Sequence, residues 1–340
     1  MPDYLGDELH TFLENKSLEF LSNGMSEDDI IKKLSENVIR STIRKATDNY
    51  ANDMFASYKE KMYEITLEEQ AKLQRFLGHN EQIWGKCFAA SQTMYVMAVS
   101  FAEDFSNFVS EKVKDGDFKD KQYIYLVLQY IHGRACQEYL EILYLLRLGF
   151  ADCAFSRWRS LYELSCLAIF ISEQPERIAK QYLEQSFNSK PAQSLKESYK
   201  WAIGAVDKAG NELKVNSFKT IQDFAATNNQ WNEVWNSQYH LANAVTHGSP
   251  EGTFGRLANG GSYNTIIVGH SDYGIAYAAE NSAISLNMIT AIFVTIYPHM
   301  DSIANVNTLF KWVKLILDMY HDTTEQSFDN TQKEVNRHGN

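Results

Sequence analysis

Apolar residues recur at helical spacing along almost the whole chain. The clearest runs are YIYLVLQYIHGRACQEYLEILYLLRL at 123–148 and ADCAFSRWRSLYELSCLAIFI at 151–171. Such long periodic runs indicate α-helices, since strands are usually much shorter. Turn-rich sandwiches and barrels need many glycines and prolines, whereas this chain has 17 glycines and 5 prolines in 340 residues. The predicted fold class is therefore all-α, a multi-helix bundle.

One segment departs from that periodicity. In residues 263–278, the sequences TIIVG and YGIAYA alternate like strands on either side of His270-Ser271-Asp272. Alternation bounded by turn residues is typical of a β-hairpin. We therefore predict one small β-hairpin near residues 263–278 in an otherwise helical chain.

The chain is predicted to have three parts. The polar turn at 114–117 separates an N-terminal helical arm, residues 1–115, from a helical core, residues 116–321. Residues 322–340 are polar and are expected to form a loose, flexible tail. Within the arm, Gly78-His79-Asn80 is expected to interrupt a helix, because glycine and asparagine have low helix propensity.

Composition also bears on compartment and partners. The net charge of −11 argues against a uniformly basic surface for nucleic acid, and the N-terminus shows no signal peptide. Residues 281–298 carry no charge, but asparagines, serines and threonines interrupt them, which favours a buried core helix over a membrane span. The four cysteines lack C-x-x-C spacing and lie in apolar, helix-like segments, which indicates buried, reduced thiols in a cytoplasmic protein. They are Cys87, Cys136, Cys153 and Cys166.

Most common enzyme signatures are missing from the sequence. It has no P-loop, no dinucleotide-binding glycine motif after a strand, no H-E-x-x-H and no G-x-S-x-G. The Glu-x-x-His pairs that di-iron bundles require are also missing. We therefore expect no cofactor and no metal.

Two polar groups stand out on apolar helices. Arg159 and Glu163 are four residues apart and share one face of a helix that is apolar nearly all round, so they are expected to be largely buried. Two interpretations stay open, a mutual ion pair that fixes helix register or an anion anchor with its orienting carboxylate. On the preceding helix, Arg134, Glu138 and Glu141 follow i, i+4, i+7 spacing, which is typical of a solvated or interhelical stripe.

The second group is a polar stripe within WNEVWNSQYHLANAVTHG. Asn236, His240, Asn243 and His247 follow i, i+4, i+7, i+11 spacing and so share one helix face. Histidines suit acid–base chemistry near neutral pH, whereas a metal site is disfavoured because no Cys, Asp or Glu joins the stripe. His247 also falls at a helix C-terminus, where the helix dipole favours a cation, so a purely structural role stays open.

These segments resemble a known family. The stretch LRLGFADCAFSRWRSLYEL, and in particular the segment from Arg159 to Glu163, is similar to the signature of the bacterial domain-of-unknown-function family 5677. That family also has a tyrosine followed by a His-Gly/Pro-Ser element, which corresponds here to Tyr239 and His247-Gly248-Ser249. The resemblance covers roughly residues 120–300.

The family is similar in outline to HEPN proteins, which are helical bundles that often dimerise. Many of those are metal-independent ribonucleases in toxin–antitoxin and phage-defence systems, with a motif of an arginine, four to six intervening residues and then a histidine. In this sequence His247 matches that histidine and Asn243 the polar residue, but His240, Leu241 and Ala242 occupy the positions where the arginine would be. The resemblance therefore implies a degenerate motif, in which Arg159 would have to supply the cation from another helix.

Two functions follow as hypotheses. The first is a HEPN-like binding or regulatory module for RNA, a nucleotide or a partner protein. The second is a metal-independent ribonuclease in which His247, His240, Asn243, Arg159 and Glu163 surround one cleft. Both predict a cytoplasmic homodimer with no membrane contact. Both also predict a single pocket formed by the polar stripe, the Arg159–Glu163 face and the glycine-rich segment 248–261.

Overall fold

The computed structural model describes residues 4–33, 36–118, 120–188, 198–226, 232–246, 249–260 and 266–338. The chain divides into two compact units, Met1–Gln74 and Arg75–Asn340. Helices dominate both, which confirms the all-α prediction. The first helices are α1 (Tyr4–Ser22), α2 (Glu27–Lys33), α3 (Glu36–Glu60) and α4 (Met62–Lys114). They are followed by α5 (Gln122–Arg147), α6 (Ala151–Glu173), α7 (Glu176–Asn188), α8 (Phe218–Ala226), α9 (Asn232–Thr246), α10 (Pro250–Phe254), α11 (Ile275–Val294) and α12 (Met300–His338).

The first unit is sparsely packed. Ile30 is the buried hydrophobic residue of α2, whereas Phe55, Tyr58 and Tyr63 are exposed. Local capping sets the start of α2, because the Ser26 hydroxyl accepts the Asp29 backbone N–H and donates to its carboxylate.

The core of the second unit surrounds α11. This helix packs against α5, α6 and α12, and its serines and threonines are buried. The hydroxyl of Thr290 donates to the Leu286 carbonyl, while Ser285 accepts a 3.0 Å hydrogen bond from the indole of Trp158. These bonds satisfy polar groups inside an apolar core, so the prediction of a buried core helix in this part of the sequence is confirmed. No helix in the described part of the chain is long and apolar enough to cross a bilayer.

The predicted hairpin is wrong. Its first residues fall within 261–265, which lie outside the described residues, and 266–274 are irregular. Its second half begins α11 instead, because Ile275, Ala278, Ala279 and Ser282 form one buried helical face. Among the described residues, extended pairing is limited to an isolated bridge between Val206 and Glu212.

Two further sequence expectations differ from the structure. Gly78-His79-Asn80 lies inside α4, because the buried Asn80 amide donates to the carbonyls of Leu146 and Arg147 at the end of α5. That contact satisfies two carbonyls that the helix end leaves free. Residues 322–338, expected to form a flexible tail, continue α12.

Candidate functional site

Helix α9 packs antiparallel against α6. The Tyr239 hydroxyl donates to Glu163 Oε1 at 2.8 Å, and the hydroxyls of Ser156 and Thr246 are 2.8 Å apart. The two contacts are seven residues apart on each helix, so the helices keep register at about 1.5 Å rise per residue. By that register, Asn243 lies at the level of Arg159.

Three polar side chains meet at this contact, and we call them the Glu163 cluster: Arg159, Glu163 and Tyr239. Arg159 Nε donates to Glu163 Oε1 at 3.1 Å, and its guanidinium lies 5.8 Å from the centre of the Tyr239 ring. Burial lowers the pKa of Arg159, but the Tyr239 hydrogen bond and the Glu163 charge outweigh it, so the net shift is upward. Burial and the hydrogen bond to Glu163 raise the pKa of Tyr239. The cluster therefore holds a charged arginine and a protonated tyrosine on one carboxylate.

Arg159 and Glu163 are less buried than expected. Their side chains are 30% and 34% exposed. They lie at the edge of the α6–α9 contact, where water reaches about a third of each side chain. The mutual ion pair predicted from spacing is present, but it borders solvent.

A cavity of about 440 Å³ adjoins Glu163, and we call it the Glu163 cavity. Polar and aromatic side chains line it together, which is typical of sites for small ligands. Its wall includes Arg134, Ser160, Glu163, Tyr182, Tyr199, Trp201 and Phe218. Burial, followed by the Glu163 charge, raises the pKa of Tyr199, so that hydroxyl stays protonated.

A second charged network adjoins this cavity through Arg134. Glu138 is 1% exposed, and its Oε1 contacts Arg134 Nε at 2.9 Å and Arg157 Nη2 at 3.6 Å. Arg157 Nε also donates to Glu141 at 2.6 Å. The predicted stripe on α5 is therefore interhelical at Glu138 and Glu141, whereas Arg134 is 62% exposed and remains solvated. Sequence spacing missed Arg157, because its partners lie on another helix.

The histidine stripe is only partly described. His247 lies outside the described residues, and nothing is described of the Asn236 side chain. On α9, His240 is exposed and Asn243 is half-buried. The described part of the stripe and the described part of the glycine-rich segment contribute no wall to the Glu163 cavity. The predicted single pocket is therefore not formed by the described residues.

The glycine-rich segment is held to another part of α6. Asp152 accepts the backbone N–H groups of Leu257 and Ala258 at 2.7 and 3.3 Å, and it pairs with Arg256 at 3.3 Å. This anchoring directs residues 254–260 toward a different cavity, which also contacts Leu241 on α9. Across the described ranges, no group of three or more His, Cys, Asp or Glu side chains is placed to hold a metal ion.

These features define an all-α bundle with an arginine–carboxylate–tyrosine cluster between two antiparallel helices. Residues 125–261 match a family of unknown function, DUF5677. The matched segment contains all three members of the Glu163 cluster as well as His240, Asn243 and His247. No curated protein and no solved structure matches the chain.

Proposed function

We propose that this chain is a HEPN-like binding or regulatory module and that it binds a nucleotide, free or at an RNA end, in the Glu163 cavity. The observation that carries the proposal is that the three side chains of the Glu163 cluster hydrogen-bond and pack with one another. Glu163 accepts from both Arg159 and Tyr239, and Arg159 also lies over the Tyr239 ring. A cluster that satisfies itself acts as a rigid frame for a ligand site.

The same bonding disfavours nuclease chemistry. Metal-independent RNA cleavage needs a base, an acid and a cation that stabilises the phosphorane. Arg159, the substitute for the missing motif arginine, already has its charge compensated by Glu163 at 3.1 Å. Binding without turnover therefore agrees better with this geometry.

The wall of the cavity favours a nucleotide. Tyr182, Tyr199 and Trp201 offer rings on which a base stacks. Arg134 donates Nε to Glu138 at 2.9 Å, but its side chain is 62% exposed, against 30% for Arg159, so its other N–H groups can still bind phosphate. The local cation also agrees with an acidic chain, because a single nucleotide needs one basic contact rather than a basic surface.

The test is calorimetric titration with the four ribonucleoside monophosphates, followed by anisotropy with a short fluorescent RNA. Tyr199→Ala is expected to weaken binding about tenfold through lost stacking. The matched control is Tyr130→Ala, because Tyr130 is an exposed tyrosine of α5 outside the cavity wall. Equal losses in both variants, or no binding at millimolar nucleotide, would contradict the proposal.

The alternative is a metal-independent ribonuclease that uses His247 with Arg159. One observation favours it: α9 runs along α6, and Thr246, next to His247 in sequence, contacts Ser156. Purified protein is incubated with labelled RNA and DNA, with and without EDTA. Cleavage of RNA that persists in EDTA and disappears in His247→Ala would replace the binding proposal.

The family resemblance and the cysteines extend the proposal to the compartment, the oligomeric state and the biological role of the protein. All four cysteines are free thiols, although Cys153 is exposed rather than buried as expected. Free thiols agree with a reducing compartment. We propose that the protein is a homodimer in the bacterial cytoplasm. We also propose that it has a defence or toxin–antitoxin-like role or binds a partner protein. Light scattering on purified protein measures the dimer, and a monomeric mass at micromolar concentration would exclude it.

A further inference from the structure

A second cavity lies at the start of α11, away from the Glu163 cluster. It encloses about 350 Å³, and we call it the Trp84 cavity. Apolar and polar groups both face it, and every residue of its wall belongs to the unit Arg75–Asn340. The wall residues used below are Trp84, Leu241, Phe254, Asn259, Asp272 and Tyr273.

The first turn of α11 forms one side of this cavity. Gly274, Ile275 and Ala276 line it, and no side chain of the described residues caps this end of the helix. The first N–H groups of an α-helix have no partner within the helix and favour a negatively charged group. Gly274 has φ +75°, and a Cβ there would come within 2.6 Å of Leu257 Cβ, so the turn at 257–259 packs tightly against this end of α11.

Trp84 supplies an independent observation that points to a ligand. Its side chain is 4% exposed and stacks on Tyr320 with ring centres 5.8 Å apart. Its indole Nε1 is buried and has no hydrogen-bond partner among the described residues, and Trp84 is part of the cavity wall. A buried donor without an acceptor costs about 1–3 kcal/mol, so an acceptor inside the cavity would remove that cost.

The wall of the same cavity also carries hydrogen-bond acceptors. Asn259 Oδ1 is buried and finds no donor in the described part of the chain. Asp272 lines the same space, and its carboxylate lies 3.4 Å from His79. A phosphate alone would leave Asn259 Oδ1 unpaired and would be repelled by Asp272, while Arg256, the cation on the same wall, is already paired with Asp152 at 3.3 Å.

We propose that the Trp84 cavity binds a free α-amino acid with a large apolar side chain. The carboxylate of the ligand accepts from the first N–H groups of α11 and from Trp84 Nε1. Its ammonium donates to Asn259 Oδ1 and to Asp272. Its side chain packs against Leu241, Phe254 and Tyr273. The inference is independent of the function proposed for the Glu163 cavity.

Calorimetry on the full chain tests the ligand class. L-phenylalanine, L-leucine and L-tryptophan are titrated, and at least one is expected to bind saturably with a Kd below about 1 mM. 3-Phenylpropionate lacks the ammonium and phenethylamine lacks the carboxylate, so each is expected to bind at least about tenfold more weakly than phenylalanine. No binding of the three amino acids up to about 10 mM overturns the proposal, as does equal affinity for either analogue.

Variants locate the site. Trp84→Phe keeps an aromatic ring but removes the N–H, and it is expected to weaken binding about five- to tenfold. The matched control is Trp312→Phe, because the Trp312 indole already donates to the Ala90 carbonyl and does not line the cavity. Asn259→Ala is a second variant that leaves the core unchanged. It should weaken binding of the amino acid to a similar extent. If Trp84→Phe fails to fold, Asn259→Ala decides alone, and unchanged affinity in it overturns the proposal.

Discussion

Burial decides how much each charged side chain of α6 contributes to stability. Arg159 pairs with a carboxylate that is 34% exposed, whereas Arg157 contacts Glu138, which is 1% exposed. Water solvates the first carboxylate when its partner is removed, but it cannot reach the second. The two arginines therefore differ in their energetic role although they lie two residues apart.

We predict that Arg157→Met destabilises the fold more than Arg159→Met. Arg157→Met removes both the 3.6 Å contact to buried Glu138 and the 2.6 Å hydrogen bond to Glu141, which together are expected to cost about 2–3 kcal/mol. The partly exposed Arg159–Glu163 pair should cost about 1 kcal/mol or less. Methionine keeps the aliphatic packing in both variants. Urea unfolding measures the difference, and equal losses would show that Arg134 alone compensates Glu138.

His132 links stability to pH. It is buried in the core beside Thr290, with Nε2 3.1 Å from Oγ1, and burial lowers the pKa of His132 to about 4. At pH values between about 4 and the usual histidine pKa near 6.5, the unfolded chain binds a proton at His132 that the folded chain does not bind. Its contribution to stability is therefore present above about pH 6.5 and is lost as the pH falls through 4.

We predict that His132→Gln flattens this pH dependence. The wild type should lose up to about 3 kcal/mol from this group between pH 7 and 4, while the glutamine variant keeps a bond to Thr290 without titrating. Unfolding free energies at several pH values are compared as the difference between the two proteins. Curves that stay parallel would mean that His132 does not carry the effect.

At the scale of elements, tight turns fix how helices meet. Gly149 joins α5 to α6 with φ +74°, and its carbonyl accepts the backbone N–H of Ser271 at 3.1 Å. A Cβ at this position would lie 2.4 Å from Phe76 Cζ and 2.8 Å from the Ser271 nitrogen. The turn therefore requires glycine both for its backbone angle and for the close approach of a second chain segment.

We predict that Gly149→Ala destabilises the fold clearly more than Gly210→Ala. Gly210 has a similar φ of +84°, but a Cβ added there would meet no atom within 4 Å, so it isolates the backbone penalty of about 1–2 kcal/mol. The clash at Gly149 adds to that penalty. Thermal unfolding of the two variants checks the order, and similar melting temperatures would show that Phe76 and Ser271 move aside without cost.

At the scale of the whole molecule, α4 contributes to both compact units. Its later turns supply Trp84, Phe88, Met94 and Phe105 to the hydrophobic core of the second unit. The boundary predicted after residue 115 would remove these side chains from the core. A boundary at the start of α4 keeps them.

We predict that a chain starting at Met62 unfolds cooperatively, with a melting temperature within about 5 °C of the full chain. A chain starting at Gly116 should not fold, because removal of several buried aromatic side chains costs about 3–5 kcal/mol each. Calorimetry of both chains makes the comparison. A cooperative transition in the shorter chain would show that residues 116–340 fold without α4.

The sequence alone determined the helical class, the core helix near 281–298 and the pairing of Arg159 with Glu163. Each depends on periodicity or on spacing within one helix, which local geometry fixes. Strand-like alternation at 273–278 misled because a segment of six residues fits a strand and a buried helical face equally well. Asn80 was expected to break α4 because helix propensity depends only on neighbouring residues, whereas its contact with the end of α5 is long-range.

Only the tertiary structure decided which helices meet and at which register. It placed Tyr239 on Glu163, Arg157 on Glu138, and Asn80 on the end of α5. It also placed Glu163 and the described residues 254–260 at two different cavities, the Glu163 cavity and the Trp84 cavity. No sequence pattern indicates the Trp84 indole, which has no hydrogen-bond partner in the described part of the chain. The physical reason is that burial and long-range hydrogen bonds depend on the packing of distant segments, whereas a sequence pattern reports only neighbours along one helix.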